Sequence, residues 1–167
     1  MQLFAFDDDY SFGIIQSLPH LAWYRAKAAR LKNEEDYNYS AESVYDTFPW
    51  PQFPDAKQVD LIAECGKDIR RIRAEALAKK VKGGLRGLYH SLVLPGKSPL
   101  KDAHANLDAA VYAAYKFSSK KDVLKQLLEL NETIAGALFK NNDVTGPGVP
   151  STYPNVERLR SDDSLGQ

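Results

Sequence analysis

The chain has 167 residues, 44% hydrophobic and 26% charged, with 22 basic and 22 acidic side chains and one cysteine. That is enough for one ordinary globular domain, or one and a half small ones. No apolar run nears the roughly 20 residues that cross a bilayer, residues 1–9 lack the basic start of a secretory signal, and a lone cysteine excludes an internal disulfide, so a cytoplasmic protein with no membrane partner is expected.

The zero net charge is unevenly spread. Residues 1–50 hold four bases against eight acids, 51–147 sixteen against eleven, and 148–167 two against three. A positive middle segment suits an anionic partner.

In chain order, Leu3, Phe4, Ala5 and Phe6 read as a short strand that stops at three aspartates, the last of which, Asp9, is placed to cap a helix. Helical spacing runs through Phe12, Ile15 and Leu18. Pro19 forces a break, because it lacks the N–H and clashes with the preceding turn. A second helix follows from about His20 to Leu31. Lys32 to Asn38 is a polar connector, and Tyr37, Asn38 and Tyr39 suit a brief extended piece. Ser40 and Ser43 introduce a helical turn at Val44 and Tyr45. With three prolines in six residues, Pro49–Pro54 excludes regular structure; residues 47–54 read as an aromatic-rich linker that packs on a surface, and as a domain boundary.

Beyond it, Val59, Ile62, Gly66, Ile69, Ile72 and Ala76 recur at three or four residues and predict one long amphipathic helix, ended by Gly83 and Gly84. Leu85, Leu88, Tyr89 and Leu92 predict a short helix. Ser98 and Pro99 have the form of a cap and a first helical residue, opening a stripe of Leu100, Ala103, Leu107, Ala110, Val111 and Ala114. Ser119 and Asp122 have capping-box spacing before Val123, Leu127, Leu130, Ile134 and Leu138. Asn141 and Asn142 suit a stop, and the Gly, Pro and Ser content from Thr145 onward predicts an irregular tail. The fold expected is mainly α: a small α+β N-terminal remnant (1–53), a helical bundle of three to four helices (54–146) and a tail (147–167).

Several chemical motifs fail on spacing. Gly96-Lys97-Ser98 matches the end of a phosphate-binding loop, but Ser91 stands where the loop needs glycine, and Pro99 delays the helix start. Pro54, Asp55, Glu64 and Lys67 approximate a nuclease metal signature with one residue too many before the lysine; Glu64 and Lys67 suit a surface ion pair instead. His104 and Asp108 stand one helical turn apart, as a base and its orienter do, with no nucleophile tied to them. Three scattered histidines and one cysteine make no metal site. No catalytic residue and no metal ligand is assigned.

The densest charge is Arg70, Arg71, Arg73, Lys79, Lys80, Lys82 and Arg86, seven bases against Glu75 alone. Such a run suits nucleic-acid phosphates, and it equally suits a solvated face with Asp68–Arg71 and Glu75–Lys79 pairs.

Three stretches then carry a family resemblance: Phe4-Ala5-Phe6-Asp7-Asp8-Asp9-Tyr10-Ser11-Phe12-Gly13-Ile14, Val44-Tyr45-Asp46-Thr47-Phe48-Pro49-Trp50-Pro51, and the run from Leu94 to Val111 that includes Lys101-Asp102-Ala103-His104-Ala105-Asn106-Leu107-Asp108. In that order they resemble the C-terminal part of MmeI-like type II restriction–modification DNA methyltransferases, over roughly residues 3–148. The resemblance implies a non-catalytic portion: the end of a DNA target recognition domain, then a helical C-terminal domain. The glycine-rich loop for S-adenosylmethionine and the Asn-Pro-Pro-Tyr motif of the methyltransferase core are not in this chain, so no cofactor is expected here. The resemblance implies DNA as partner, with Arg70, Arg73, Lys79, Lys80, Lys82 and Arg86 on the backbone. It leaves Lys32, Asn33 and Asn38 as candidate base readers, and Phe48 and Trp50 as packing between the two domains. The competing expectation is a helical module that docks a separate methyltransferase or nuclease polypeptide, or a truncated remnant.

Overall fold

The computed structural model describes residues 6–30, 37–80 and 82–162. The expected strand at 3–6 and the connector residues Lys32 and Asn33 lie outside the described residues, Phe6 excepted. The architecture is mainly α. Helix α1 (Asp9–Gln16) and α2 (Leu18–Lys27) are followed by a two-residue antiparallel ladder, β1 (Ala29–Arg30) with β2 (Tyr37–Asn38), and a π-helical turn at Ala41–Tyr45. Then come α3 (Ala56–Ala78), α4 (Gly84–His90), α5 (Pro99–Tyr115), α6 (Val123–Phe139) and a 3-10 turn at Val156–Leu159.

The cap of α1 is Asp8 rather than Asp9: the Asp8 carboxylate accepts the Ser11 N–H at 2.6 Å. Asp9 is thereby released into the first turn, where it faces α3. Pro19 sits in the first turn of α2, where its missing N–H costs nothing, so the break falls at Ser17. The long helix α3 opens with a complete capping box, Asp55 accepting from the Gln58 N–H and Gln58 Oε1 accepting from the Asp55 N–H. It ends at Ala78, before the glycine pair, with Lys80 in the left-handed region; Gly83, at φ 83°, instead begins α4. Ser98 and Pro99 cap and open α5 as expected. At α6 the cap is Asp122, which accepts the Lys125 N–H at 2.7 Å, and Ser119 takes no part.

Helix α3 is the central element, flanked by α1 and α5. Its apolar stripe (Val59, Ile62, Ala63, Ile69) meets Tyr10 and Ile14 of α1 and Leu107, Ala110 and Val111 of α5 in one cluster of buried residues. The helices close tightly at Gly66, where a Cβ would lie 2.6 Å from the Asp9 carbonyl oxygen. In α6 only Leu127 is buried, and Leu138 and Phe139 stand in water.

Two aromatic side chains of the proline-rich stretch pack inward. Phe48 and Trp50 are 5% and 2% exposed. They sit in an aromatic cluster with His20, Trp23, Tyr10 and Phe6, whose neighbouring ring centroids are 4.9–6.5 Å apart, the shortest being His20–Phe48 at 4.9 Å. The Tyr115 hydroxyl donates to the Pro49 carbonyl at 2.8 Å, so the backbone of a segment without a helix or ladder of its own is satisfied from α5. Hydrophobicity outweighs the lack of regular structure: two large rings buried together are worth more than the chain gains by leaving them on a surface.

The tail is irregular yet held in place through residue 162. Tyr153 donates to Asp60 at 2.5 Å, Leu159 is buried, and the Ser161 N–H donates to the Asp7 carbonyl at 2.7 Å beside the Asp8–Arg160 bridge. This last described segment thus returns to the start of α1.

Candidate nucleic-acid interface

The seven-base run of α3 and the following turn does not form one uniform surface. Arg70 Nε lies 2.8 Å from Asp9 Oδ1, and its guanidinium covers the Phe12 ring at 3.9 Å. Arg73 donates to the Tyr89 hydroxyl at 2.7 Å and to Gln16 Oε1 at 3.0 Å, between the Phe12 and Tyr89 rings. Both arginines therefore tie α3 to α1, and Arg73 also ties it to α4. Arg71 is paired with Asp68 and Glu75 on the exposed face, and Lys79 reaches Glu75 at 3.7 Å. These are the helix pairs expected of a solvated face.

Lys80, Lys82 and Arg86 remain. All three are exposed, and among the described residues none is in an ion pair. Lys80 and Lys82 stand on the α3–α4 turn and Arg86 in the first turn of α4, an arrangement whose shape rests on glycine. At Gly87 a Cβ would meet the Lys82 carbonyl oxygen at 2.1 Å, so only a residue without a side chain lets the turn fold onto α4. Arg86 and His90 line a shallow cleft of about 470 Å³ beside Gly83 and Gly87. Three uncompensated cations on this turn and the start of α4 form a surface suited to an anion.

The remaining motifs resolve as structure. Lys101 donates to the carbonyls of Leu94 and Gly96, the latter at 2.9 Å, and so closes the loop that carries Gly96-Lys97-Ser98. Lys67 pairs with Glu64 at 3.4 Å, and Asp55 is spent as a cap. Asp108 does not orient His104. Its carboxylate accepts the Leu18 N–H at 2.7 Å and caps α2 from ninety residues away; burial raises its pKa and that bond lowers it. His104 sits edge-on to Tyr89 with its pKa lowered, first by burial and then by Arg73. His20 is almost wholly buried, with Nε2 3.2 Å from the Tyr39 hydroxyl. Cys65 is half-buried. No group of metal-ligating side chains occurs among the described residues. Of the base-reading candidates, only Asn38 is described, and only as the ladder partner of Ala29.

Charge density alone ranks Arg70 and Arg73 with the lysines, because it does not show pairing. What separates them is the tertiary packing that brings Asp9 and Phe12 of α1 against α3.

A mainly helical chain with a short ladder, an aromatic-sealed N-terminal part and an exposed cluster of unpaired bases defines a class of helical domain, and comparison with known proteins narrows it. The family model "MmeI, target recognition domain" matches residues 2–52. DNA methyltransferase A of Bacillus subtilis is 37% identical over 124 residues, covering 72% of this chain and 13% of its own length. The structure of the Type IIL restriction–modification enzyme MmeI in complex with DNA superposes with a TM-score of 0.63 at 33% identity, over 77% of this chain and 16% of that one. The chain is thus similar to part of the MmeI-like restriction–modification DNA methyltransferases, with the target recognition domain match confined to residues 2–52. It spans about one-seventh of the length of the relatives it matches.

Proposed function

We propose that this chain is the DNA-recognition and C-terminal portion of a MmeI-like restriction–modification adenine methyltransferase. In this reading it holds duplex DNA by the backbone while the recognition part reads bases. The observation that carries it is the juxtaposition of a target recognition domain match at 2–52 with the uncompensated cations Lys80, Lys82 and Arg86, on the α3–α4 turn and the start of α4 of the same compact unit. Lys79, only loosely paired, extends that surface. Phosphate contacts of this kind position a protein without specifying sequence. Specificity is assigned to the segment containing Lys32, Asn33 and Asn38, whose side-chain types match base edges.

Methyl transfer and cleavage are assigned to other parts of such an enzyme. This chain carries neither the glycine-rich loop nor the Asn-Pro-Pro-Tyr motif of a methyltransferase core, so S-adenosylmethionine is assigned to a core outside it. The same reading places the protein in the cytoplasm, in keeping with the lack, among the described residues, of any helix long and apolar enough to cross a membrane.

The test is fluorescence anisotropy of the purified chain on random duplex DNA across a salt series. Binding whose log affinity falls linearly with log salt, and which is lost on charge reversal at Lys80, Lys82 and Arg86, supports the reading. Absence of binding at low salt overturns backbone contact by this chain alone.

A further inference from the structure

A second concave surface lies away from the basic turn. The α1–α2 junction, α4 and α5 enclose an open cleft of about 510 Å³, walled chiefly by Ile15, Leu18, Leu21, Tyr24 and Leu92. Leu18 and Leu21 stand at its rim, 42% and 38% exposed. What distinguishes it is that the polar groups reaching it already have partners. Asp108 accepts from the Leu18 N–H, His20 meets the Tyr39 hydroxyl, and Tyr89 and Gln16 both accept from Arg73. His104 Nε2, buried and without a hydrogen-bond partner, is the exception. No uncompensated cation lines the cleft.

Such a surface does not suit a phosphate, because its walls are chiefly apolar and no uncompensated cation lines it to pair with the charge. It suits apolar side chains, with any polar group addressed to His104 or to the spare donors of Gln16 and Tyr89. We infer that this cleft is the seat for an apolar segment of the larger MmeI-like polypeptide, the portion outside the matched region. The inference rests on the reading of the chain as one part of such an enzyme. The relatives support that occupant over a second copy: the matched region is 13–16% of their length, so this unit stands among several-fold more chain in each of them.

The test mixes the purified chain with a MmeI-like enzyme truncated to lack the matching segment, and follows association by titration calorimetry at 0.1 and 0.5 M salt (roughly a doubling of screening). Expected is association with a negative heat-capacity change, little changed by salt, weakened at least about tenfold by Leu21→Asp and unchanged by Lys82→Glu. If Leu21→Asp loses its near-ultraviolet dichroism, Leu92→Ser is read instead. Equal affinity in the folded rim variant overturns the inference. So does a lack of association by a truncated enzyme that still binds S-adenosylmethionine. A self-dimer of the chain abolished by Leu21→Asp overturns it in favour of a second copy. Shifts of the His104 ring resonances with deoxyadenosine monophosphate overturn it in favour of a base. Duplex DNA affinity, measured in parallel on the chain alone, fails or holds independently of docking.

Discussion

Arg70 reaches across from α3 to Asp9 in the first turn of α1, Nε to Oδ1 at 2.8 Å, with its guanidinium flat on Phe12. A side chain that charge counting assigns to DNA is thus a strut between two helices. Burial raises the Asp9 pKa, while Arg70, the next largest influence, lowers it. The pair keeps a buried carboxylate tolerable, and removing Arg70 takes away the largest favourable charge acting on Asp9.

Replacing Arg70 by methionine is therefore expected to destabilise the fold by about 3 kcal/mol, the low end for breaking a buried pair, since Arg70 keeps part of its side chain in water. Urea denaturation at pH 7 measures it. Without Arg70 the Asp9 pKa rises further, so the deficit shrinks as pH falls and Asp9 protonates. A loss under about 0.5 kcal/mol, typical of a surface pair, means the strut carries no weight.

Gly66→Ala tests the approach of α1 to α3 directly. Its Cβ would stand 2.6 Å from the Asp9 carbonyl oxygen, a backbone atom that moves only if the helix moves. A cost of about 1–3 kcal/mol is expected, despite the higher helix propensity of alanine. Thermal unfolding reads it, and a stabilised variant contradicts the packing.

His20 predicts an acid-sensitive fold. Burial lowers its pKa from 6.5 to about 4, so the folded state binds its proton less readily than the unfolded chain. Stability from this group is present above about pH 6.5 and falls as pH drops towards 4, by about 3 kcal/mol in all. Asp8 and Asp108 act in the opposite sense: their raised pKa values make the folded state the better proton binder, which favours folding as pH falls through the carboxylate range. Subtracting the profile of His20→Gln from that of the parent isolates the histidine, and parallel profiles would refute its contribution.

The two classes of basic side chain should separate in DNA binding. Neutralising Lys80, Lys82 and Arg86 together should lower the salt slope by about 2–3, at roughly 0.9 for each phosphate no longer neutralised. Arg73→Gln should leave the slope unchanged while reducing stability, because its donors are spent on Tyr89 and Gln16. A slope that responds to Arg73 and not to the turn would reverse the assignment.

Much of the fold can be read from the chain alone, wherever the signal is local. The stripe from Val59 to Ala76 marks α3, Ser98-Pro99 marks the start of α5, and three stretches point to the family, because periodicity, capping and motifs are properties of near neighbours. Other features depend on residues far apart. Phe48 and Trp50 read as packing residues of a linker, but the hydrogen bond that Tyr115 makes to the backbone between them comes from a helix far along the chain. Asp108 looks like part of a catalytic pair until Leu18 arrives at its carboxylate from ninety residues away. Arg70, Arg73, Lys80, Lys82 and Arg86 are equivalent as charges in a row. Only the packing of α1 and α4 against α3 engages the first two and leaves the last three facing water, because a charge becomes available or spent according to what the fold brings within a few ångströms of it.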